Sequence, residues 1–240
     1  VTYFGNNTLK DIYDYEPVER SWTTKMRSLL MGIQGSMWTE FCNKPEEVEY
    51  LIFPRLAAVA EGAWTFPVYK DWDRFLAALD NFTGHLVKGI TYARSMYNIQ
   101  HKVTPMDGSL QVELECIRPD VEIRYTTNGS QPTAKSSLYE RKWQVTTPQI
   151  IKSATFKNGK QMGQTLTLPI QWNKATAKRM LRSNPVERVM VNGVRGSLKY
   201  TDSEWASWTR NDSIAFTLDL RKREHLNKLV LGCINNYGST

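Results

Sequence analysis

The chain has few of the residues that cross-link a fold or hold a metal. Its 240 residues include three cysteines and three histidines. Cys42, Cys116 and Cys233 are odd in number, far apart and without metal-ligand spacing, so they read as small buried hydrophobes. His85, His101 and His225 do not cluster. No metal and no cofactor is expected. Long apolar runs are missing too. None approaches the ~20 residues needed to cross a bilayer, so no membrane span is expected. No basic-then-apolar stretch with a small-residue cleavage site opens the chain, and any export signal is expected upstream of Val1. Repeats and low-complexity stretches are absent.

What is present is an ordinary globular composition tilted towards aromatics: 41% hydrophobic, 23% charged, 11% aromatic. The net charge of +7 is unevenly spread. Residues 1–100 hold 10 basic and 12 acidic side chains, residues 101–172 hold 9 and 6, and residues 173–240 hold 12 and 6. A nucleic-acid surface would concentrate its basic residues on one face with interleaved aromatics. Here Arg221-Lys222-Arg223 is the only basic run, so no nucleic-acid partner is expected. A polyanion-binding tail stays open as a lesser alternative.

Three blocks follow one another. Residues 1–100 read as helical with one strand. Leu29-Leu30-Met31-Gly32-Ile33 is a continuous apolar run, as a buried parallel strand requires. Gly35-Ser36 then turns the chain, and Trp38 and Glu40 follow two residues apart. A helix is expected from about Asn43, with Pro45 in its first turn, a kink at Pro54 and its end at Gly62. A second helix is expected from Asp71 to Val87, burying Phe75, Leu76, Leu79, Phe82 and Leu86. Residues 101–172 change to period two, as in Val112–Cys116 and Val121–Tyr125, with turn signals at Asn128-Gly129 and Asn158-Gly159. That spacing predicts a small β-sandwich. Residues 173–240 are again strand-like through Val189–Gly193, Ile214–Leu220 and Leu229–Leu231.

The most informative feature is the pair Trp38 and Glu40. An indole offers a flat apolar face and a carboxylate an acceptor. A sugar ring has apolar C–H faces and a rim of hydroxyls, so it suits both. At the carboxyl end of a barrel strand, such a pair would line an active site. From composition alone Trp38 fits an ordinary packed core better than a site. Arg55 and Glu61 read as structural braces on the following helix. Trp64, Trp72 and Trp143 read as packing residues. Trp205 and Trp208 fit a core or a sugar-facing wall. Asp11, Asp14 and Glu16 read as a solvated acidic run rather than a metal site.

The first block resembles the end of the catalytic barrel of family 20 glycoside hydrolases, the β-N-acetylhexosaminidases. The resemblance rests on Thr8-Leu9 with Tyr13-Asp14-Tyr15-Glu16-Pro17, on Gly32 to Glu40, and on Phe53-Pro54-Arg55-Leu56-Ala57 with Glu61 and Trp64. The second block, through Ile123 to Pro132, resembles the small fibronectin-III-like sandwich that follows the barrel in bacterial members. The third resembles the front half of a discoidin-type domain, through Val191 to Ser197, Trp205 and Thr217-Leu218-Asp219-Leu220. The glycine usual after such a Leu-Asp-Leu is Arg221 here.

The resemblance implies a multidomain α/β plus β chain. Residues 1–100 would end a (β/α)8 barrel, 101–172 would form the sandwich, and 173–240 a partial discoidin-like β-sandwich. It implies an exo-acting enzyme that releases terminal GlcNAc or GalNAc from glycans by substrate-assisted retaining hydrolysis, an exception among glycosidases. It implies that Trp38 packs against the terminal N-acetylhexosamine and that Glu40 accepts hydrogen bonds from its hydroxyls, at C4 first and at C6 as a further candidate. The catalytic Asp–Glu pair is expected upstream of Val1, so these residues read as a fragment inactive by itself. A periplasmic or cell-surface location is expected from the same likeness. The competing function is a set of non-catalytic carbohydrate-binding or spacer modules.

Overall fold

Thr8 starts the first helix because its hydroxyl and the Asp11 carboxylate satisfy each other's free backbone amides. The Thr8 hydroxyl accepts from Asp11 N at 3.1 Å, and the Asp11 carboxylate accepts from Thr8 N at 2.8 Å. The computed structural model describes residues 7–40, 42–83, 89–181, 185–198, 202–207 and 215–233. Two units divide the chain: residues 1–97 with 117–120, and residues 98–116 with 121–240.

The α-helices described in the first unit are α1 (Leu9–Asp14), α2 (Thr24–Ser28), α3 (Pro45–Ile52), α4 (Arg55–Trp64) and α5 (Trp72–Asn81), joined by irregular segments. Pro54 does more than kink its helix. The chain leaves helical geometry at Phe53, the Phe53–Pro54 bond is cis, and α4 starts afresh at Arg55. Asn43 is not the cap of α3. Lys44 holds that position, and Asn43 N instead donates to Glu47 at 2.6 Å. Gly62 does not stop α4. It lies against Ile33, whose Cδ1 would be in ordinary contact, 3.4 Å, with a Cβ placed there. α5 begins where expected, with Asp71 accepting from Arg74 N at 2.8 Å, and buries Phe75, Leu76 and Leu79. Leu86 and Val87 lie outside the described residues.

The apolar run Leu29–Ile33 is not a strand. It is irregular, with Leu29 71% and Met31 fully exposed. A parallel strand exists only while neighbours take up its backbone hydrogen bonds. No described segment of the first unit pairs with it.

Residues 117–120 are held in the first unit by one guanidinium. Arg118 is 2% exposed and makes two forked pairs, to Asp80 at 2.7 and 2.9 Å and to Asp120 at 2.6 and 2.7 Å. Its charged centre sits 4.9 Å from the Tyr97 ring centroid. Burial alone would depress its pKa, but the bonds to Asp120 and Asp80 outweigh that and raise it. Trp72 adds a bond from its indole N–H to the Ile117 carbonyl at 3.2 Å and packs with Tyr13 and Phe75.

The second unit is built from antiparallel sheets. β1 (Gln100–Met106), β2 (Ser109–Glu115) and β5 (Trp143–Val145) form one. β3 (Glu122–Thr126), β4 (Ser137–Leu138), β6 (Gln149–Lys157), β7 (Lys160–Gln161) and β8 (Leu166–Ile170) form the second. Pro105 is tolerated because β1 is an edge strand. Asn158 and Gly159 both adopt positive φ, the turn that suits the twist of a two-residue hairpin, and join β6 to β7. β3 pairs with β6, far along the chain. Val103, Leu110, Val112, Leu114, Val145, Ile151, Leu168 and Ile170 gather into one buried cluster from both sheets, so the unit is sandwich-like. Each such side chain contributes about 1.5–3 kcal/mol by leaving water. Trp143 is a packing residue as expected, stacking on Tyr125 at 4.8 Å.

Beyond the sandwich, Val189–Gly193 is not a strand either. Residues Pro185–Val191 form 3-10 turns, and Val191 and Gly193 lend their carbonyls to Ala177 N and Gln171 N at 2.8 Å each. β9 (Arg179–Leu181) pairs with β10 (Thr217–Asp219). Leu229–Leu231 is exposed and irregular. The cysteines are not the buried hydrophobes expected: Cys42 and Cys116 are half-buried and Cys233 is exposed, none of them in a disulfide.

Arg118→Ala should lower the unfolding free energy by about 2–3 kcal/mol, because two carboxylates lose their shared partner. Arg118→Lys should recover only part of that, since an ammonium cannot fork to both. Urea denaturation of the three proteins decides it, and coincident midpoints would show the clasp to be dispensable.

Candidate functional site

The segment from Gly35 to Glu40 is irregular, closing in a turn where Cys42 N bonds the Thr39 carbonyl at 3.0 Å. α4 backs its start: a Cβ on Gly35 would touch Val59 at 3.6 Å, and Ile33 lies over Gly62. Trp38 is 74% exposed and Glu40 is exposed. Neither side chain has a hydrogen-bond partner among the described residues, and neither lines the two concavities described in the second unit. The structure therefore presents an open indole face and an unengaged carboxylate two residues apart. A ligand-enclosing site would require further walls around them.

Arg55 and Glu61 do not pair with each other. Arg55 donates to the carbonyls of Asn7 at 2.9 Å and Leu51 at 3.0 Å, and burial pulls its pKa down. Glu61 accepts from Arg74 at 2.6 Å. Both brace the helix, as expected. Tyr13 packs edge-on to Trp72 at 4.8 Å, and Lys70 donates to the carbonyls of Tyr13 and Tyr15. Burial first, then the Glu61 charge, raises the Tyr13 phenol pKa. The acidic run is accounted for locally: Asp11 caps α1, Asp14 pairs with Lys10, and Glu16 accepts from Val18 N. Trp64 is 89% exposed, so it is not a packing residue here. Among the described residues no cluster of His, Cys, Asp and Glu could hold a metal, and no helix is long and apolar enough to cross a membrane.

The second unit contains a polar constellation that sequence reasoning missed. His101 Nε2 lies 3.0 Å from Glu204 Oε1, and Asn192 donates to Glu204 Oε2. Glu204 is 8% exposed and Asn192 1%. These groups border a groove of about 600 Å³ along β1. Both oxygens of Glu204 are engaged, so the carboxylate is a tether rather than a free base. Asp202 fixes the adjoining turn by accepting from Ser197 N at 2.8 Å and Glu204 N at 3.0 Å. Burial would raise the Asp202 pKa, but the bonds from Ser197 and Glu204 and the nearby His101 hold it below the usual carboxylate range. Trp205 packs on Gly196, where a Cβ would come within 2.5 Å of the ring, and donates to the Ser197 carbonyl at 2.8 Å. It is a packing residue. Trp208 lies outside the described residues. No signal of local spacing links His101 to Glu204, which are 103 positions apart.

Two stretches match known families. Residues 2–67 match the catalytic domain of glycosyl hydrolase family 20, and residues 106–167 match the chitobiase/beta-hexosaminidase C-terminal domain. The chain is 41% identical over 71 residues to a beta-N-acetylhexosaminidase of Cellulomonas fimi, covering 30% of this chain and 14% of that protein. It is 34% identical over 89 residues to a beta-hexosaminidase of Porphyromonas gingivalis, covering 37% and 12%. A beta-hexosaminidase of Vibrio furnissii is 38% identical over 61 residues, covering 25% and 10%. The matched stretches thus span about a seventh or less of these relatives' length.

The Asp202 turn should respond to acid. A carboxyl whose folded pKa is depressed contributes stability above its unfolded pKa, about 4, and loses it as pH falls through the folded value. Asp202→Asn should therefore cost about 1–2 kcal/mol at pH 6, and the gap from wild type should narrow by pH 3. Urea midpoints at the two pH values measure this. A gap independent of pH would rule out the carboxylate charge as its source.

Proposed function

We propose that this chain is the carboxyl-terminal portion of an exo-acting β-N-acetylhexosaminidase that releases terminal GlcNAc or GalNAc from glycans. The observation that carries the proposal is the order of two matches in one chain: part of a family 20 catalytic domain, then the C-terminal domain of chitobiases and beta-hexosaminidases. The reaction class would be substrate-assisted hydrolysis with retention. The sugar's own acetamide oxygen attacks the anomeric carbon, a Glu protonates the leaving oxygen, and an Asp orients the acetamide. In this reading both carboxyls come from a segment upstream of Val1.

Within the chain, Trp38 and Glu40 are the residues assigned to substrate. Leu29–Ile33 would be a barrel stave once neighbouring staves supply its hydrogen bonds, with Trp38 and Glu40 displayed at the stave's end. The indole would press the terminal sugar into attacking geometry. Glu40 would select it, since a buried carboxylate left without its hydroxyl partner costs about 1–3 kcal/mol. Support for this display comes from the packing of Ile33 on Gly62 and Gly35 near Val59, which leaves the following side chains unengaged. Residues 173–240 are assigned to a partial discoidin-like domain; β10 ends at Asp219, and Arg221 takes a φ of 67°, the left-handed geometry that glycine adopts without cost. A periplasmic or cell-surface location in a bacterium accompanies the proposal.

The 240-residue chain alone should show no turnover of an aryl N-acetyl-β-glucosaminide, whereas the same chain preceded by a full barrel should hydrolyse it. Turnover by the isolated chain would overturn the assignment of the catalytic carboxyls. In the complete enzyme, Glu40→Gln should lower kcat/KM roughly ten- to hundredfold. Unchanged steady-state kinetics would remove Glu40 from the site.

A further inference from the structure

Trp172 lies at the end of β8, half-buried, with one side packed against the sandwich core. It also lines a shallow concavity of about 380 Å³. The rest of the lining comes from two segments: Asn173, Lys174 and Lys178 after β8, and Leu220, Lys222 and Glu224 after β10.

The backbone under these side chains is pinned. Asn173 Oδ1 accepts from Ala175 N at 2.8 Å and Thr176 N at 3.1 Å, while Thr176 Oγ1 accepts from Asn173 N at 3.0 Å. Ala177, fully buried, donates to the Val191 carbonyl and accepts from Gly108 N. Lys178 then immediately precedes β9 and Leu220 immediately follows β10. Because Arg179 registers with Asp219, the antiparallel ladder brings Lys178 and Leu220 to the same end. Glu224 accepts from Lys174 at 2.9 Å and Lys222 at 3.1 Å, and Lys174 also donates to the His225 carbonyl at 2.8 Å. Those two ammonium groups keep the Glu224 carboxyl below its usual range. Lys178 has no ion pair among the described residues.

The lining therefore carries three ammonium groups against one carboxylate, beside an aromatic face. A bare inorganic anion has no use for the ring. A single nucleic-acid strand calls for successive aromatic platforms along a basic track, and one indole provides neither. A ligand that uses every part has an apolar C–H face for the indole and an anionic substituent for the lysines. We infer that this concavity binds an acidic saccharide, a pyranose bearing a carboxylate or a sulfate, through Trp172 with Lys178 and Lys222, on a rim braced by Lys174 and Glu224. The excess of basic residues after position 173, 12 against 6 acidic, favours the approach of such a ligand. The inference does not depend on the hydrolase assignment, because its readout is binding and not turnover.

The test is calorimetric titration of the 240-residue chain with four probes: a uronate-containing oligosaccharide, a sulfated oligosaccharide, a neutral chito-oligosaccharide and inorganic sulfate. At least one acidic saccharide should bind, weakening as salt rises, with the neutral sugar and inorganic sulfate at least roughly tenfold weaker. Which acidic probe binds identifies carboxylate or sulfate as the anion. Lys178→Glu with Lys222→Glu should weaken that binding at least roughly tenfold. Lys222→Glu alone, at a side chain 75% exposed, repeats the test without risk to folding. Trp172→Phe, which keeps a ring, should retain most of the affinity. Failure of both acidic saccharides to bind, equal affinity for the neutral sugar or for sulfate, or indifference to the lysine reversals would each overturn the inference.

Discussion

An extended backbone must hand its amides and carbonyls to a neighbour, and that requirement governs both units of this chain. In the second unit the demand is met. β6 is flanked by β3 on one edge and by β7 and β8 on the other. The alternating side chains then converge on one apolar cluster. In the first unit the most apolar run, Leu29–Ile33, has no such neighbour among the described residues and stays irregular. Its hydrophobicity does not fix its geometry; partners would.

The same logic explains where polar groups are spent. Arg118 is a cation removed from water, tolerable only because two carboxylates and an aromatic face surround it. Glu204 is nearly buried and is matched by His101 and Asn192. Both are devices that tie a segment down: residues 117–120 in one unit, the turn at residues 202–205 in the other. Trp38 and Glu40, by contrast, are an apolar face and a charge with nothing to do within the described residues.

Local chemistry was the legible part. The start of α5 at Asp71, the turn at Asn158-Gly159 and the alternation in β2 all depend on residues within a few positions of one another. They were readable for that reason. Pro54 and Gly62 were misread because their role depends on a distant partner. The helix breaks at Phe53, whose carbonyl accepts from Ala93 N, and Gly62 packs beside Ile33. Val189–Gly193 looked like a strand by composition, yet its carbonyls are used one at a time by Ala177 and Gln171.

The chain's order of residues by itself determined the start of α5, the period-two sandwich and the pairing of an indole with an acid at Trp38 and Glu40. Those follow from side-chain size, polarity and short-range backbone sterics. Only the tertiary structure decided that Arg118 is buried between Asp80 and Asp120, that His101 meets Glu204, and that Trp172 shares a concavity with Lys222, fifty residues further on. Such contacts close long loops. Their existence is set by the packing of whole sheets and helices, which no local pattern encodes.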